Sequence, residues 1–356
     1  MPSSTTRREA IAKTVLFTLG ALATVLFLTT KNSTALAWAT SSSLRYGDLC
    51  RLAQVKFFQP AEPLPMGPLS YVDSIEQAQT LKDDDHWIFI GDSFGFIDWS
   101  ETPFHTQIAR ELGAPMFNVC TTHRLQFRYN PFAVFKDQTA MPETERVLVY
   151  QIAERLIDGV FAKPLSPASW SDNDGMLFGR LRKINYALLK DTEERHVTVL
   201  KHSFITAPIV ELWNSAVFAC FGRLPVETPV YSVDPPFLFY RPEVEAFERR
   251  HDEQQIEQLV RNIAQLSQEL RAKYRCKLVF VPVPTKMTLY AELVTKQPYD
   301  EFLPRLCAAL RAREVDTVEL LPVFRRESEL LYWPTDSHWN NRGLRLAVDE
   351  TVRHLR

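Results

Sequence analysis

Apolar positions along this chain alternate between two rhythms, and the order in which they do so sets the fold class. Trp87-Ile88-Phe89-Ile90 is a short continuous apolar run ending in Gly91-Asp92-Ser93, the pattern of a buried strand leading into a turn. Phe104, Ile108 and Leu112 follow at helical spacing, with Gly113 placed to stop the helix. Pro115 to Val119 and Val147 to Ile152 read as the second and third strands. Farther on, Ile256, Leu259, Val260, Ile263, Leu266 and Leu270 mark one face of a long helix, and Cys276 to Val283 reads as a buried strand behind it. A helix over 300–313, a strand near Val315 to Leu320 and a last helix from Arg342 to Leu355 complete the series. Strands separated by helices need crossover connections, so the expected architecture is α/β with a parallel sheet.

Two stretches break the rhythm. Between about 158 and 245, Pro and aromatic residues are frequent and no period holds, so the stretch reads as an insertion that covers or shapes the active site. Residues 31–85, with Ser41 to Ser43 and the Pro-rich piece Pro60 to Pro65, read as a stalk or linker with room for one helix.

The amino terminus has a different pattern. Arg7, Arg8 and Lys13 precede an uncharged run from Thr14 to Thr30 that includes Val15, Leu16, Phe17, Leu22, Val25, Leu26, Phe27 and Leu28. The run is at the short end for a bilayer-spanning helix and long for a cleaved signal core, so 14–30 is expected to be one transmembrane signal anchor. Positive residues before it place 1–13 in the cytoplasm and everything from about residue 32 across the membrane. Cleavage after Ala35-Leu36-Ala37 is the alternative, and it too exports the remainder. In a Gram-negative bacterium the protein would be a single-pass inner-membrane protein whose catalytic domain, 86–356, faces the periplasm.

Composition narrows the choice of chemistry. At 356 residues, with 46% hydrophobic and 24% charged residues, one catalytic domain with an insertion is the economical reading. The formal net charge is -2 and Lys and Arg are scattered, which excludes a nucleic-acid partner as the expectation. Cys50, Cys120, Cys220, Cys276 and Cys307 are far apart without a CxxC pair, so neither a zinc site nor a disulfide framework is expected, and most should be small buried apolar side chains.

Catalytic groups of open α/β sheets gather at the carboxyl ends of strands, which is where Gly91-Asp92-Ser93-Phe94-Gly95 falls. Ser93 is the candidate nucleophile there, and a simple turn is the alternative reading of the same triplet. A serine hydroxyl needs a base, normally an imidazole oriented by a carboxylate. Tyr332-Trp333-Pro334-Thr335-Asp336-Ser337-His338-Trp339-Asn340 offers both in one loop, with His338 as base and Asp336 as its orienting carboxylate. A helix N-cap region built on Asp336 or Asn340 is the competing explanation. The Ser93 or Phe94 backbone amide is the first choice of oxyanion donor, and Thr121 or Thr122 the second. This chemistry calls for no metal and no cofactor.

The turn Gly91 to Phe94 resembles block I of SGNH (GDSL-type) hydrolases, and Asp336-Ser337-His338 resembles their block V. Thr335-Asp336-Ser337-His338-Trp339 is similar to the Asp-x-His-Trp signature of the alginate O-acetyltransferase branch, the AlgJ/AlgX-like proteins. Pro284-Thr285-Lys286 followed by Tyr290, and Ala153-Glu154-Arg155-Leu156, fit the same branch. The resemblance spans about residues 86 to 356 and implies an SGNH-like three-layer sandwich. It also implies acyl transfer in the periplasm to hydroxyls of an exported polysaccharide through an acyl-serine intermediate, with a multispanning membrane acyltransferase as the partner supplying acetyl groups. Two features depart from the family. Ser93 precedes the Asp-x-His-Trp segment, as in ordinary SGNH esterases, and the oxyanion Gly and Asn blocks are not recognisable in Asn118 to His123 or in Ile152 to Arg155.

The remaining candidates carry alternatives. Arg155 either binds substrate or pairs internally with Glu154 or another carboxylate, and Lys286 either holds an anionic sugar or is structural. Trp339 is grouped with the substrate-binding positions. His105 and His123 are expected to be ordinary surface or satisfied histidines, and Asp92 to hydrogen-bond its own turn. An esterase or deacetylase with water as acceptor, and a catalytically silent glycan-binding scaffold, are the competing functions.

Overall fold

Five segments, four of them largely apolar, form one parallel sheet in the computed structural model, which describes residues 47–59, 81–82, 85–96, 102–119, 130–135, 141–165 and 206–356 together with Thr14, Val15, Phe17 and Thr18. In chain order the elements are α1 (Asp48–Ala53), β1 (Trp87–Ile90), α2 (Ser93–Phe96), α3 (Phe104–Leu112), β2 (Met116–Asn118), β3 (Arg146–Ala153), α4 (Glu154–Phe161), α5 (Ala207–Phe221), β4 (Val230–Val233), β5 (Pro236–Phe239), α6 (Arg241–Glu248), α7 (Glu253–Tyr274), β6 (Cys276–Val283), α8 (Lys286–Tyr290), α9 (Phe302–Ala312), β7 (Asp316–Thr317), α10 (Leu320–Phe324) and α11 (Asn341–Leu355). The sheet order is β2-β1-β3-β6-β7, and β4 with β5 makes a separate antiparallel hairpin.

Side chains alternate across a strand, and both faces of this sheet are covered. Leu148, Tyr150 and Ile152 of β3 and Leu278 and Phe280 of β6 join one core with Ile256, Val260 and Ile263 of α7 and Leu306 and Leu310 of α9. Val149 and Ala153, with Val279, Val281 and Val283, join the other with Phe104 and Ile108 of α3 and Leu344, Ala347 and Val348 of α11. Each such fully buried Leu, Ile, Val or Phe contributes roughly 1.5–3 kcal/mol. The helix–sheet–helix layering fits an SGNH-like sandwich. Helix ends follow local chemistry: Asp252 and Gln255 form a reciprocal capping box on α7, and Gly113 closes α3 at φ 67°.

β6 has the expected bounds, Cys276–Val283. The strand expected over Val315 to Leu320 is only Asp316–Thr317, because Leu320 already begins α10 while Val318 caps the pairing by donating to the Phe280 carbonyl at 2.9 Å. Part of the expected linker is structured: α1 lies in the same compact unit as the sheet. The carboxyl-terminal part of the expected insertion also belongs to that unit, as the β4–β5 hairpin and the start of α6.

Residues Gln54–Phe57 and the segment ending at Arg223 fall in a second unit. Within it Lys56 N donates to Ser215 Oγ at 3.0 Å, and the Phe57 and Phe218 rings meet at 5.6 Å. The expected anchor lies outside the described residues except at Thr14, Val15, Phe17 and Thr18, as do Ser41 to Ser43 and Pro60 to Pro65. Among the described residues no helix is long and apolar enough to cross a membrane. Of the cysteines, Cys50, Cys276 and Cys307 are buried free thiols, as expected, whereas Cys220 is exposed.

Candidate active site

The turn after β1 is built by its own aspartate. Asp92 Oδ1 accepts from Phe94 N (3.0 Å) and Gln151 Nε2 (2.8 Å), Oδ2 accepts from Ala153 N (2.8 Å), and Asp92 N donates to Gln151 Oε1 (3.1 Å). These bonds fasten the turn to the end of β3. Gly91 is required by close approach, since a Cβ there would stand 2.5 Å from Gln151 Oε1 and 2.8 Å from the Phe89 ring. Ser93 opens α2 and remains half-buried.

Opposite this turn stands the loop before α11. The Ser93 hydroxyl donates to His338 Nε2 at 2.7 Å, and His338 Nδ1 donates to Asp336 Oδ1 at 2.6 Å. The candidate nucleophile, base and orienting carboxylate are thus in line, within the reach that proton transfer needs. Burial alone would depress the His338 imidazole, but the Asp336 charge and hydrogen bond, with Asp48 behind them, raise it above its ordinary value. Burial would likewise raise Asp336, yet the His338 charge and the donors His338 Nδ1, His338 N and Asp48 N bring its carboxyl below the usual range. Asn340 does cap α11, accepting from Gly343 N at 3.0 Å, while Asp336 turns inward to His338.

Asp48 carries no recognisable motif and was not expected at this site. Its backbone N–H donates to Asp336 Oδ2 at 2.6 Å, its Oδ1 accepts from Ser337 N at 2.7 Å, and its Oδ2 accepts from the Ser337 hydroxyl. The available signal was slight, a short helix with Leu49, Cys50 and Ala53 buried on one side. Desolvation and the Asp336 charge push the Asp48 carboxyl up from its ordinary value.

Lys286 begins α8 and is fully buried. Its ammonium donates to the carbonyls of Trp333 (2.8 Å), Pro334 (2.7 Å) and Asp336 (3.1 Å) and lies 4.3 Å from the Phe237 ring centroid. All three protons are committed, so the residue braces the triad loop and has none left for an anionic sugar. Burial lowers it to about 7, and burial raises its neighbour Glu243 to about 7. The hairpin supports the same loop, Leu238 N donating to Pro334 O at 2.9 Å.

Arg155 takes the internal alternative in part. It pairs with the buried Glu243 at 3.1 Å rather than with Glu154, while its guanidinium carbon stands 5.7 Å from the ring centroids of both Phe94 and Tyr240. Glu154 instead accepts from Thr285 N, Thr288 Oγ1 and Tyr299 Oη. Glu243 was also missed, because a lone glutamate early in a helix gives no warning that it will be buried.

Two expected contacts are corrected. The Phe94 amide is spent on Asp92 Oδ1, which leaves the Ser93 amide as the candidate oxyanion donor of this turn. Trp339 is buried, packing on Phe94 at 5.0 Å and Phe104 at 5.4 Å, so it stabilises the core behind His338 and does not face substrate. His105 is buried against Phe89, and desolvation lowers it to about 4. Thr121, Thr122, Cys120 and His123 lie outside the described residues.

Among the described residues, Asp48, Asp336 and His338 offer ligand atoms within 4.8 Å of one another. Their carboxylate oxygens already face N–H and O–H donors and the remaining imidazole nitrogen faces Ser93, an arrangement suited to moving a proton. A recess of about 420 Å³ lies elsewhere, lined by Asp158, Arg249, His251, Gln255 and Gln258 among others, and no triad residue borders it.

The family model described as the SGNH hydrolase-like domain of the acetyltransferase AlgX matches residues 234–356. That segment takes in Glu243, Lys286, Asp336, His338 and Trp339, whereas Ser93 lies outside it and joins the site through geometry alone. No curated protein and no solved structure matches the chain.

Proposed function

From the premise that residues 234–356 carry an SGNH hydrolase-like domain of the AlgX type, we propose that the protein is a serine-dependent O-acetyltransferase acting on hydroxyl groups of a polysaccharide. The observation that carries this reading is the aligned relay Ser93–His338–Asp336, with bonds of 2.7 and 2.6 Å.

The steps follow from those contacts. Ser93 Oγ attacks the carbonyl carbon of the acyl donor while its proton passes to His338 Nε2; the carbonyl electron pair moves to oxygen, and the Ser93 amide is the proposed donor to that oxyanion. As the pair returns, the bond to the leaving group breaks and His338 gives it the proton. The acetyl group then rests on Ser93. In the second half a sugar hydroxyl loses its proton to His338 Nε2 and attacks the acyl carbon, and Ser93 Oγ leaves with that proton. Asp336 remains ionised throughout and keeps Nδ1 protonated, so that Nε2 is always the nitrogen facing Ser93.

The apolar run 14–30 after Arg7, Arg8 and Lys13 supports an exported, membrane-anchored placement, in the periplasm if the cell is Gram-negative. A multispanning acyltransferase delivering acetyl groups is the partner that the resemblance to the AlgJ/AlgX-like proteins implies. One observation favours water as a second acceptor: Ser93 precedes Asp336 and His338 in the chain, as in SGNH esterases. The partition depends on how well the cleft orients a sugar and excludes water. The purified full-length protein, given an activated acetyl ester with and without oligosaccharide, should form acetylated sugar at the expense of free acetate. Acetate release unaffected by oligosaccharide, with no acetylated sugar, would assign it as an esterase.

A further inference from the structure

We propose that Asp48 is a positioning residue of the acyl-transfer centre: a second carboxylate that, through Ser337 and its own backbone N–H, holds the Asp336–His338 pair in register with Ser93. The proposal rests on reading Ser93, His338 and Asp336 as the triad, and its test includes a measurement on the resting protein so that the two can fail separately.

Three observations converge. The contacts are reciprocal, since Asp48 N donates to the Asp336 oxygen that His338 does not use (2.6 Å) while both Asp48 oxygens accept from Ser337, the residue between carboxylate and base. Rotation of the Asp336 carboxylate or displacement of the 336–338 backbone breaks at least one of these bonds. The approach is also built into the backbone. Cys50 N donates to Thr335 O at 3.0 Å, and a Cβ on Gly47 would stand 2.3 Å from that same oxygen and 2.8 Å from Asp336 Cβ, so only glycine permits α1 to lie this close. Finally, Asp48 Oδ2 is 3.8 Å from His338 Nδ1. Negative charge at that distance favours the imidazolium that forms when His338 takes the serine proton.

Packing alone does not account for this arrangement. Leu49, Cys50 and Ala53 supply the apolar contacts of α1, whereas Asp48 is 26% exposed and directs its polar atoms to the triad loop. Other charges act on His338 as well: Asp336 in its own loop raises it, Arg155 from α4 lowers it, and Glu243 lies beyond Arg155 on α6.

Asp48→Asn removes the charge, keeps the size and still accepts from Ser337 N. The His338 imidazole, titrated by NMR in the full-length protein, is expected to shift down by about one pKa unit, equivalent to a tenfold change. Labelling of Ser93 by a fluorophosphonate, compared at a pH above both titrations so that His338 is neutral in each protein, should slow by about threefold to tenfold because the imidazolium that forms is less stabilised, while the unfolding temperature changes little. Asp48→Glu, which restores the charge, should recover part of both effects. An unmoved imidazole titration together with a wild-type labelling rate would overturn the proposal. Should Asp48→Asn fail to fold, Ser337→Ala retains the Asp48 charge and removes the hydroxyl contact. It is expected to slow labelling by roughly threefold or more, the scale of one hydrogen bond, with the titration unmoved. Wild-type labelling in Ser337→Ala would then overturn it. Absence of labelling in the wild-type protein would count against the triad reading, and the titration would still decide the role of Asp48.

Discussion

Lys286 Nζ donates to the Asp336 carbonyl at 3.1 Å, so a buried ammonium at the start of α8 holds the peptide group attached to the triad carboxylate. With the bonds to Trp333 O and Pro334 O, one side chain holds three backbone carbonyls within residues 333–336 of the loop. Lys286→Met keeps the volume and orphans the three carbonyls. Since part of this loss is offset by relieving a buried charge, the expected destabilisation is about 2–4 kcal/mol. Chemical denaturation should show that loss, and fluorophosphonate labelling should slow because the loop, not the nucleophile, has changed.

Removal of triad members should separate by role. Ser93→Ala should abolish labelling and acetate transfer. Asp336→Asn can donate to Nδ1 and so stabilises the wrong tautomer, for which a loss of about 10³- to 10⁴-fold in kcat/KM is expected with substrate binding little changed. Steady-state rates with an activated acetyl ester check both.

Activity and stability should respond to pH in opposite directions. His338 must be neutral to accept the serine proton, and its folded pKa is raised, so kcat/KM should climb through a midpoint above 6.5. The stabilisation from charged His338 beside Asp336 is complete below the unfolded value of about 6.5 and is lost as pH rises through the raised folded value. His251, held between Asp158 and Asp300, is raised too and contributes with the same sign. The difference in unfolding temperature between wild type and His338→Gln, followed from pH 5 to 9, isolates the triad component; a difference independent of pH would contradict it.

Trp339 offers a test of core against substrate contact. Its indole packs between Phe94 and Phe104, so Trp339→Ala should cost about 3–5 kcal/mol and Trp339→Phe much less. A KM unchanged in Trp339→Phe, alongside a lowered unfolding temperature, is the expected result. A substrate contact would instead raise KM without affecting stability.

Much of the sheet was legible because strand and helix periods are local properties. Ile88 to Ile90 and Leu278 to Val283 are apolar on both faces, as strands between two helical layers must be, and the ends of both strands were found closely. β7 was overextended because Val318 and Leu320 continue an apolar pattern although the chain has already turned into α10. At the site, the meeting of Ser93, Asp336 and His338 was readable because serine chemistry constrains which residue types must face one another, whatever their order in the chain. The residues around them were not. Lys286 was visible as a residue, but its assignment depended on which carbonyls surround it, and the Phe94 amide was lost to an aspartate two positions earlier. Asp48 and Glu243 act through contacts 288 and 88 residues away in sequence, a relation that no local pattern records.

The separation between Asp48 and Asp336 also sets a sequence of events. The two residues that meet at the triad loop emerge 288 positions apart, and Trp339 and α11, which close the core behind that loop, follow both of them in the chain. During synthesis the serine turn exists long before its base does. Until Asp336 and His338 have been made, the growing chain holds the serine without the imidazole and carboxylate that come to face it.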